Sequence, residues 1–594
     1  MLNIPFKIYH YFMKKILFLV IITLLTGEAF AQDYGLPRYM TEEEKLIGND
    51  YFSLPQVSFF PPSTPVRTMA EWEEFDGIIL TWTSYTSLLR QIVDAAQEEG
   101  MVWIICSDSN SVKTYLQSGG VPLVNLSFII ASYNSVWSRD YGPWCVYTLT
   151  GDTLGLVDFK YNRPRPLDDA IPSVLASRWS LPLYQTISGA DSLAHTGGNF
   201  MVDGFGTSFR SRLTEIENSW HSTAHIDSIL FRYCGIQIGR SVSLTVLPYD
   251  GIHHIDMHMK LLDEETILVG QYPTGIADGP QIELNIQYIQ NNYLNCYGRP
   301  YKIVRIPMPP SAGGQYPPNS SYFTYTNSLI VNKTVLVPIY GFAQDTTALR
   351  IYRENMPGYN VIGFDCNAII PASGAIHCIT KEIGTRNPVL IYHARLQNTS
   401  DTVNNYPVLA NIKNRYGIDS AFVYWSTDTT LGYNRIIMTN SSGQNWTSSI
   451  PHQSAGKKVY YYITARTSNG KYFSKPITAP KGYWKFNVGG PTGITGNSGE
   501  IPEKFSLYQN YPNPFNPLTK IRFDIPSSGG IGKKNIRLII YDILGREIYT
   551  LVNETLGAGS YEYVFDASNI PSGIYFYRLA SESYSETKKM ILLK

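Results

Sequence analysis

The hydrophobic pattern of this chain changes near residue 386, and that change limits the possible folds more than any single motif. Before it, GIILTW (77–82) is strand-like, SLLRQIVDAAQEEG (87–100) has helical spacing, and MVWIICS (101–107) is again strand-like. This order is typical of a β-α-β unit. Similar alternation recurs near 122–130, 226–248 and 347–380, so we predict an α/β domain over residues 33–385.

Beyond residue 385 the pattern is that of strands alone. VLIYHARLQ, DSAFVYWST and KVYYYITART alternate polar and apolar residues between turns rich in Asn, Ser and Gly. This predicts an immunoglobulin-like β-sandwich over 386–488. The composition of GGPTGITGNSGE predicts a flexible linker over 489–500, and a last all-β domain is expected over 501–594.

The N-terminus has the features of a secretory signal peptide, predicted over residues 1–31. Lys14 and Lys15 precede the apolar run 16–25, and Ala29-Phe30-Ala31 follows as a cleavage pattern. Ten apolar residues are too few to cross a bilayer. We therefore expect passage through the periplasm, no membrane-spanning segment, and a mature protein that is secreted or attached to the outer cell surface.

Charge and cysteine content narrow the function. The 48 basic residues balance 48 acidic ones, which argues against a nucleic-acid partner because such proteins carry a basic excess. The six cysteines have irregular spacings without a CxxC pair, unlike a disulfide framework. Pairing among Cys106, Cys145, Cys234, Cys296 and Cys366 stays open, and at least one of the six cysteines is available as a working thiol.

The stretch VWSRDYGPWCV (136–146) places Arg139 and Asp140 inside an apolar run. Removing a charge from water is costly unless the charge is paired or has a specific task. A structural ion pair at the end of a strand is the simplest interpretation of the dipeptide alone. A functional carboxylate is the alternative.

The densest polar cluster is DGIHHIDMHMKLLD (250–263). In a strand, His254, Asp256 and His258 would share one face. Three interpretations are open: a metal site, a general acid/base histidine beside a cation-binding carboxylate, or a buried histidine with a structural role.

The segment SGAIHCITKEI (373–383) contributes Cys378, which is either a buried structural thiol or a nucleophile. In an extended segment the adjacent His377 would point away from Cys378, so a base from a distant segment, such as His254, fits better.

Five segments follow one another along the chain: WSRDYGP (137–143), TGGNF (196–200), HID (254–256), YTNSLI (325–330) and GAIHCIT (374–380). Taken in order, they resemble the guanidino-group-modifying (pentein) superfamily, and within it the agmatine deiminase and bacterial peptidylarginine deiminase branch. The resemblance implies a five-bladed α/β-propeller of ββαβ units, and it argues against a metal site at 254–258.

The resemblance also implies roles for individual residues. Asp140 and Asp256 would hold a guanidinium from opposite sides, and Cys378 would attack its central carbon. His254 would protonate the departing ammonia and then activate water, so that no cofactor or metal is needed. Substrate-binding roles fall to Trp137 against the arginine stem, and to Asn199 and Asn327. Arg139 would be structural, paired outside the pocket.

The substrate is suggested by DFKYNRPRPLDD (158–169), where Arg163 and Arg165 alternate around Pro164. Paired arginines suit a carboxylate and would repel the free amine of agmatine. The pair resembles that of exported peptidylarginine deiminases, which implies a clamp for a C-terminal arginine. Thr196 also stands where agmatine deiminases usually have glutamate. We expect peptide or protein substrates with arginine, with an agmatine deiminase-like enzyme or a non-catalytic surface adhesin as alternatives.

The last segment contains four motifs in order: FSLYQNYPNPFNPLTKIRFDIP (505–526), IRLIIYDILGREIYTLV (536–552), GSYEYVFDASNIPSGIYFYRL (559–579) and KKMILLK (588–594). Together they resemble the C-terminal sorting domain of type IX secretion substrates. This implies the type IX secretion machinery as a partner.

Overall fold

The computed structural model describes residues 35–52, 59–488, 494–497, 502–526, 534–567, 570–581 and 583–593. The predicted signal peptide lies outside the described residues. Among the residues described, no helix is both long and apolar enough to cross a membrane.

Residues 66–384 repeat one structural unit. In each unit two strands pair antiparallel, and a helical crossover then leads to a third strand parallel to the second. The predicted β-α-β segment is one example: Phe75–Thr81 leads through Thr86–Ala96 to Met101–Cys106, and the two strands are parallel. The helix ends at Ala96, earlier than the predicted Gly100.

Five sheets are formed by the described residues in this region. Within each sheet the strands are given in spatial order. The first two sheets contain Val66–Thr68, Trp144–Thr148, Leu154–Phe159 and Leu183–Thr186, and Ser241–Leu244, Ser208–Ser211 and Met201–Val202. The other three contain Met259–Leu261, Thr266–Gln271 and Lys302–Pro307; Leu329–Val331, Thr334–Ile339 and Asn360–Asp365; and Lys381–Gly384, Phe75–Thr81, Met101–Cys106 and Leu126–Ile130.

Two features hold this region together. Lys381–Gly384 pairs antiparallel with Phe75–Thr81, so the end of the region closes onto its beginning. Ile78, Ile79 and Leu80 are completely buried, as expected of a strand covered on both faces. Burial of each such side chain contributes about 1.5–3 kcal/mol.

The helices of the described residues also lie in the N-terminal two thirds of the chain. They are Glu42–Phe52, Thr86–Ala96, Ser109–Ser118, Ser138–Tyr141, Pro166–Asp169, Ile171–Trp179, Leu213–Glu217, Thr223–Cys234, Gly279–Asn292 and Ala343–Asn355. Short 3-10 turns at Gly197–Asn199, Ile255–Met257 and His377–Ile379 complete the elements around the site.

Residues 390–487 form two antiparallel sheets that share one apolar core, which includes Val408, Val423 and Ile463. The strands of the first sheet are Leu390–Tyr392, Tyr406–Lys413, Asn445–Ile450 and Thr439–Ser442. Those of the second are Asn434–Ile437, Ile418–Ser426, Lys458–Thr467, Tyr472–Lys475 and Trp484–Asn487. The assignment as immunoglobulin-like stays a prediction.

The last region is all β, as predicted. One sheet contains Ile494–Asn497, Gly559–Asp566, Leu518–Ile525 and Ser506–Leu507, and the other contains Glu547–Leu556, Lys534–Tyr541, Gly573–Ser581 and Tyr584–Leu592. The prediction of a linker throughout 489–500 is wrong for residues 494–497, because they pair with Gly559–Asp566 as an edge strand. The rest of that linker lies outside the described residues.

All six cysteines belong to the part of the chain that the structure describes, and each is a free thiol. The question of pairing is thereby answered for this structure, and Cys378 remains available for chemistry.

Candidate functional site

The site is built from five turns that occupy equivalent positions in the repeated unit. Each turn comes directly before the first strand of its antiparallel pair, so the five turns lie at corresponding ends of the five sheets. The residues that they contribute are Asp140, Gly198, Asp256, Asn327 and Cys378.

The guanidinium of Arg38 lies between the two predicted carboxylates. Its Nε and Nη2 donate to Asp140 Oδ2 and Oδ1 at 2.8 and 2.9 Å, which is a bidentate pair. Its Nη1 and Nη2 donate to Asp256 Oδ1 and Oδ2, both at 3.2 Å. All three side chains are buried, so the two carboxylates enclose the cation away from water.

The charges at this position stabilise one another. Burial acts to raise the pKa of both carboxyl groups, but the charge of Arg38, together with hydrogen bonds and the neighbouring histidines, holds the pKa of Asp140 and of Asp256 below the usual value. Both groups are therefore carboxylates at neutral pH. The site is suited to a planar cation with donors on two edges.

Cys378 faces the same guanidinium. Nη1 of Arg38 donates to Cys378 Sγ at 2.6 Å, and Sγ lies 3.2 Å from Asn327 Oδ1. Burial raises the pKa of the Cys378 thiol, and the charge of Arg38 opposes this rise. A bound guanidinium therefore favours the thiolate, which is the nucleophilic form.

His254 lies beside this cluster in its neutral form. Nε2 is 3.1 Å from Thr196 Oγ1, and Nδ1 is 3.6 Å from Asp140 Oδ1. Nδ1 has no hydrogen-bond partner among the described residues. Burial, followed by the charge of Arg38, lowers the pKa of His254 to about 3, so the ring is uncharged at neutral pH.

The strand predicted at 254–258 is wrong. Ile255–Met257 is a 3-10 turn with His254 before it and His258 after it, so the alternation of a strand does not place these two histidines on one face. His258 is buried, and within the residues that the structure describes neither of its ring nitrogens has a hydrogen-bond partner. His254 and Asp256 therefore belong to the group of side chains around the Arg38 guanidinium, and His258 does not.

The segment around Cys378 is not extended, so the condition under which His377 would point away from the site is not met, and two residues are added to the site. His377–Ile379 is a 3-10 turn, so the side chain of His377 reaches Asp256, the carboxylate that also binds the Arg38 guanidinium. Its Nδ1 is 2.9 Å from Asp256 Oδ2, and its Nε2 is 3.0 Å from Glu71 Oε2. His377 and Glu71 therefore orient Asp256 from behind.

Arg139 and Asp140 do not pair with each other, and they lie on the short helix Ser138–Tyr141 rather than at a strand end. Arg139 Nη1 is 2.6 Å from Glu382 Oε2, and Arg139 Nε donates to the His377 carbonyl at 3.2 Å. Arg139 thus has a structural position outside the guanidinium pocket, which matches the expectation.

The predicted substrate-binding residues separate into two groups. Trp137 is buried and its Nε1 donates to the Leu36 carbonyl at 2.8 Å, while Asn327 contacts Cys378 as described above. Asn199 is placed differently from the expectation, because its amide contacts Ser211 N at 2.9 Å and Thr214 Oγ1 at 3.4 Å. The side chain of Asn199 therefore supports the turn that carries Gly198, with its hydrogen bonds directed to Ser211 and Thr214.

Arg163 and Arg165 bind the main chain around Arg38. Arg163 Nε donates to the Arg38 carbonyl at 3.0 Å. Arg165 Nη2 donates to the carbonyl groups of Pro37 and Tyr39, at 2.7 and 3.3 Å. Both side chains of the RPR motif thus contact the backbone of a peptide whose arginine fills the pocket.

Gly198 is required where it stands. Its N–H donates to Asp140 Oδ1 at 3.2 Å, and a Cβ added there would lie 1.7 Å from Arg38 Nη2. Any larger residue would therefore displace the guanidinium.

Sequence reasoning missed Arg38. The only signal was its position in LPRYMTEEE, shortly after the predicted signal peptide, and nothing in that motif indicates a contact with residues 102 to 340 positions away.

A buried cysteine beside two carboxylates that hold a guanidinium defines the class of guanidine-modifying deiminases. Residues 67–383, more than half of the 594-residue chain, match the model of the Porphyromonas-type peptidyl-arginine deiminase family. The chain belongs to this family. Residues 509–593 match the secretion system C-terminal sorting domain, which confirms the predicted type IX sorting domain.

Comparisons with individual proteins give names of two kinds. A "Putative agmatine deiminase" of Mycoplasma capricolum is 25% identical over 354 residues, which is 52% of this chain and 94% of that protein. A crystal structure named "Putative Arginine Deiminase" from Porphyromonas gingivalis is 23% identical, with a TM-score of 0.48 and coverage of 54% of this chain and 99% of the other. The agmatine deiminase of Enterococcus faecalis is 19% identical, with a TM-score of 0.48 and coverage of 56% and 100%.

Proposed function

We propose that the protein is an exported protein-arginine deiminase, which hydrolyses the guanidinium of peptidyl arginine to the ureido group of citrulline and releases ammonia. One observation carries this proposal: an arginine of a continuous peptide fills the site, and its flanking carbonyl groups are bound by Arg163 and Arg165. A free guanidine such as agmatine has no backbone for these arginines to bind.

The mechanism follows from the positions of four side chains. Asp140 and Asp256 hold the guanidinium, and Cys378 Sγ attacks its central carbon. One terminal C–N bond breaks, and the nitrogen leaves as ammonia with a proton supplied through His254. The resulting thiouronium is then hydrolysed by a water molecule that His254 activates, which restores the thiol and leaves the ureido product.

A preference for C-terminal arginine forms part of the proposal. Arg165 Nε binds the carboxylate of Glu44, with Nε to Oε1 at 2.7 Å, and Arg163 contacts the carbonyl of the bound arginine itself. A terminal carboxylate at that carbonyl would gain a charge-assisted hydrogen bond. The amine of agmatine would instead meet two cations.

The proposal includes the architecture of the protein and its export to the cell surface. The five sheets of ββαβ type support a five-bladed propeller, and the two sheets of 390–487 support an immunoglobulin-like sandwich. The sorting domain supports export and association with the cell surface, with the type IX machinery as a partner.

The test is a side-by-side assay of citrulline or ureido formation from three substrates: a peptide with internal arginine, a peptide ending in arginine, and agmatine. Wild-type protein and an Arg38→Ala variant should both be assayed, because the variant leaves the pocket unoccupied. Both peptides should be converted faster than agmatine, and the double variant Arg163→Ala/Arg165→Ala should lose peptide activity selectively. Faster conversion of agmatine would favour the small-guanidine enzyme, and no conversion of any substrate would favour a non-catalytic surface protein.

A further inference from the structure

The residue that fills the site belongs to the protein itself. We call residues 35–44 the leader segment; it lies between the predicted signal peptide and the first sheet. Apart from the guanidinium contacts, the Arg38 N–H donates to the Ala372 carbonyl at 3.1 Å. At its end the segment is fixed by a capping pair, in which Thr41 N donates to Glu44 Oε2 at 2.8 Å and Glu44 N donates to Thr41 Oγ1 at 3.2 Å.

The leader segment forms ion pairs with charged residues of the pocket at two places. A guanidinium lies between Asp140 and Asp256, and the carboxylate of Glu44 lies on Arg165. The segment thus offers both charged groups expected of a peptide that ends in arginine. It binds as a substrate would bind, rather than as an unrelated segment that covers the entrance.

No second guanidinium fits while Arg38 is present. Arg38 is fully buried, and it leaves no space for even a methyl group at Gly198. A tethered group also competes at an effective concentration on the order of millimolar or higher. An external peptide therefore has to wait until the leader segment leaves.

We infer that Arg38 is a substrate of the active site of its own chain. The first turnover converts Arg38 to citrulline, and the leader segment is then released. This inference rests on the proposed function. Cys378 Sγ forms a bond to Arg38 Cζ, one terminal C–N bond breaks, and ammonia leaves. The oxygen of water then bonds to Cζ as the S–Cζ bond breaks, so the thiol is regained and no oxidant or reductant is required.

The product binds the pocket less well than the substrate for an electrostatic reason. Citrulline is neutral, so Asp140 and Asp256 lose the cation between them. One donor nitrogen is also replaced by a carbonyl oxygen, which an adjacent carboxylate repels. Buried carboxylates without a cation are costly, and exchange of the segment for water or for another guanidinium removes that cost.

The experiment measures residue 38 by peptide mass spectrometry in the full chain carrying its native leader segment. Wild-type protein should contain citrulline at position 38, whereas Cys378→Ala should retain arginine there. The rate of conversion should not change on dilution, because the reaction is intramolecular. Arginine at position 38 in a preparation that converts external peptide would overturn the inference, as would citrulline at position 38 in Cys378→Ala.

Two variants separate this inference from the proposed function. Arg38→Ala should convert an external arginine peptide without a lag, while wild type should show a lag that matches the conversion of Arg38. Arg38→Lys keeps a cation in the pocket but offers no carbon for Cys378 to attack, so its inhibition should persist. If Arg38→Ala converts the peptide and wild type never modifies Arg38, the inference fails and the function stands; if Arg38→Ala is also inactive, the function itself fails.

Discussion

The deiminase region and the sorting domain bury different kinds of side chain. Among the described residues of 66–384, many buried side chains carry ionisable groups, including those of Arg139, Asp256, Lys260 and Glu382. Among the described residues of 502–593, the buried polar side chains are Asn510, Thr519, Asp524 and Ser560, beside a large apolar core. Charged interior groups are therefore concentrated in the region that handles a cation.

The difference in buried ionisable side chains follows from the different roles of the two regions. A buried ion pair costs several kcal/mol of desolvation per ion, and it often contributes less to stability than apolar packing of equal volume. The deiminase region retains such pairs around Asp256, where they fix the direction of a carboxylate. The sorting domain has no comparable task, and its core is apolar.

The largest expected effect concerns the nucleophile. Cys378→Ala should reduce citrulline formation by roughly 10⁴-fold or more, because removal of a nucleophile eliminates the covalent route. Cys366→Ala is the matched control, since Cys366 is as buried as Cys378, whereas the sulfur to which Arg38 donates is that of Cys378. That control should lose some thermal stability and retain activity. Equal losses for the two variants would show that the site requires packing rather than a thiol.

The next effect concerns buried charge in the deiminase region. Glu382→Gln would leave Arg139 and Lys381 without their carboxylate, at 2.6 and 2.7 Å respectively, and should lower the free energy of unfolding by about 3–5 kcal/mol. In the sorting domain, Glu562→Gln removes the partner of a half-exposed Lys520 and should cost less than about 1 kcal/mol. Chemical denaturation monitored separately for each region measures both values. Similar costs would remove the contrast between the regions.

A smaller effect distinguishes two buried carboxyl groups within the deiminase region. Asp256→Asn removes one of two charges on the guanidinium and should lower kcat/KM for an arginine peptide by roughly 30-fold or more. Burial instead raises the pKa of Asp158, whose Oδ2 accepts from Gln185 Nε2 at 2.9 Å. Asp158→Asn should therefore leave kcat/KM unchanged. A large loss in this control would mean that buried carboxyl groups act through the fold in general.

The smallest effect is a pH dependence of stability. Burial lowers the pKa of His258 to about 4, whereas the unfolded chain binds the proton near pH 6.5. The free energy of unfolding is therefore unaffected by protonation of His258 above pH 6.5. It falls as the pH decreases towards 4, by up to about 1.4 kcal/mol per pH unit for this histidine. His258→Phe should reduce the slope over this interval without loss of activity, and the exposed His452→Phe should not change it. Loss of activity in His258→Phe would reopen a catalytic role for His258.

Much of the site could be predicted because its residues belong to short motifs. Asp140, Asp256, His254 and Cys378 are predicted because their motifs resemble those of a known family, and the structure brings the four residues together. The 3-10 turns at Ile255–Met257 and His377–Ile379 could not be predicted, because a turn of three residues has no hydrophobic period that could reveal it.

The contributions of Arg38 and Glu71 could not be predicted for a different reason. Glu71 lies 306 positions from His377, and Arg38 lies 340 positions from Cys378. Such contacts depend on how the sheets close onto one another, which no local pattern in a single sequence contains. The predicted α/β and all-β regions, by contrast, depend on periodicity along the chain, and these were found.

The central claim is that the pocket binds the guanidinium of a peptide arginine. Calorimetric titration of an Arg38→Ala/Cys378→Ala protein tests it most directly, since this protein has an unoccupied pocket and cannot turn substrate over. An arginine peptide should bind, and the same peptide with citrulline should bind more weakly by roughly 30-fold or more, because it lacks the charge that Asp140 and Asp256 hold. Equal affinity for the two peptides would contradict the account.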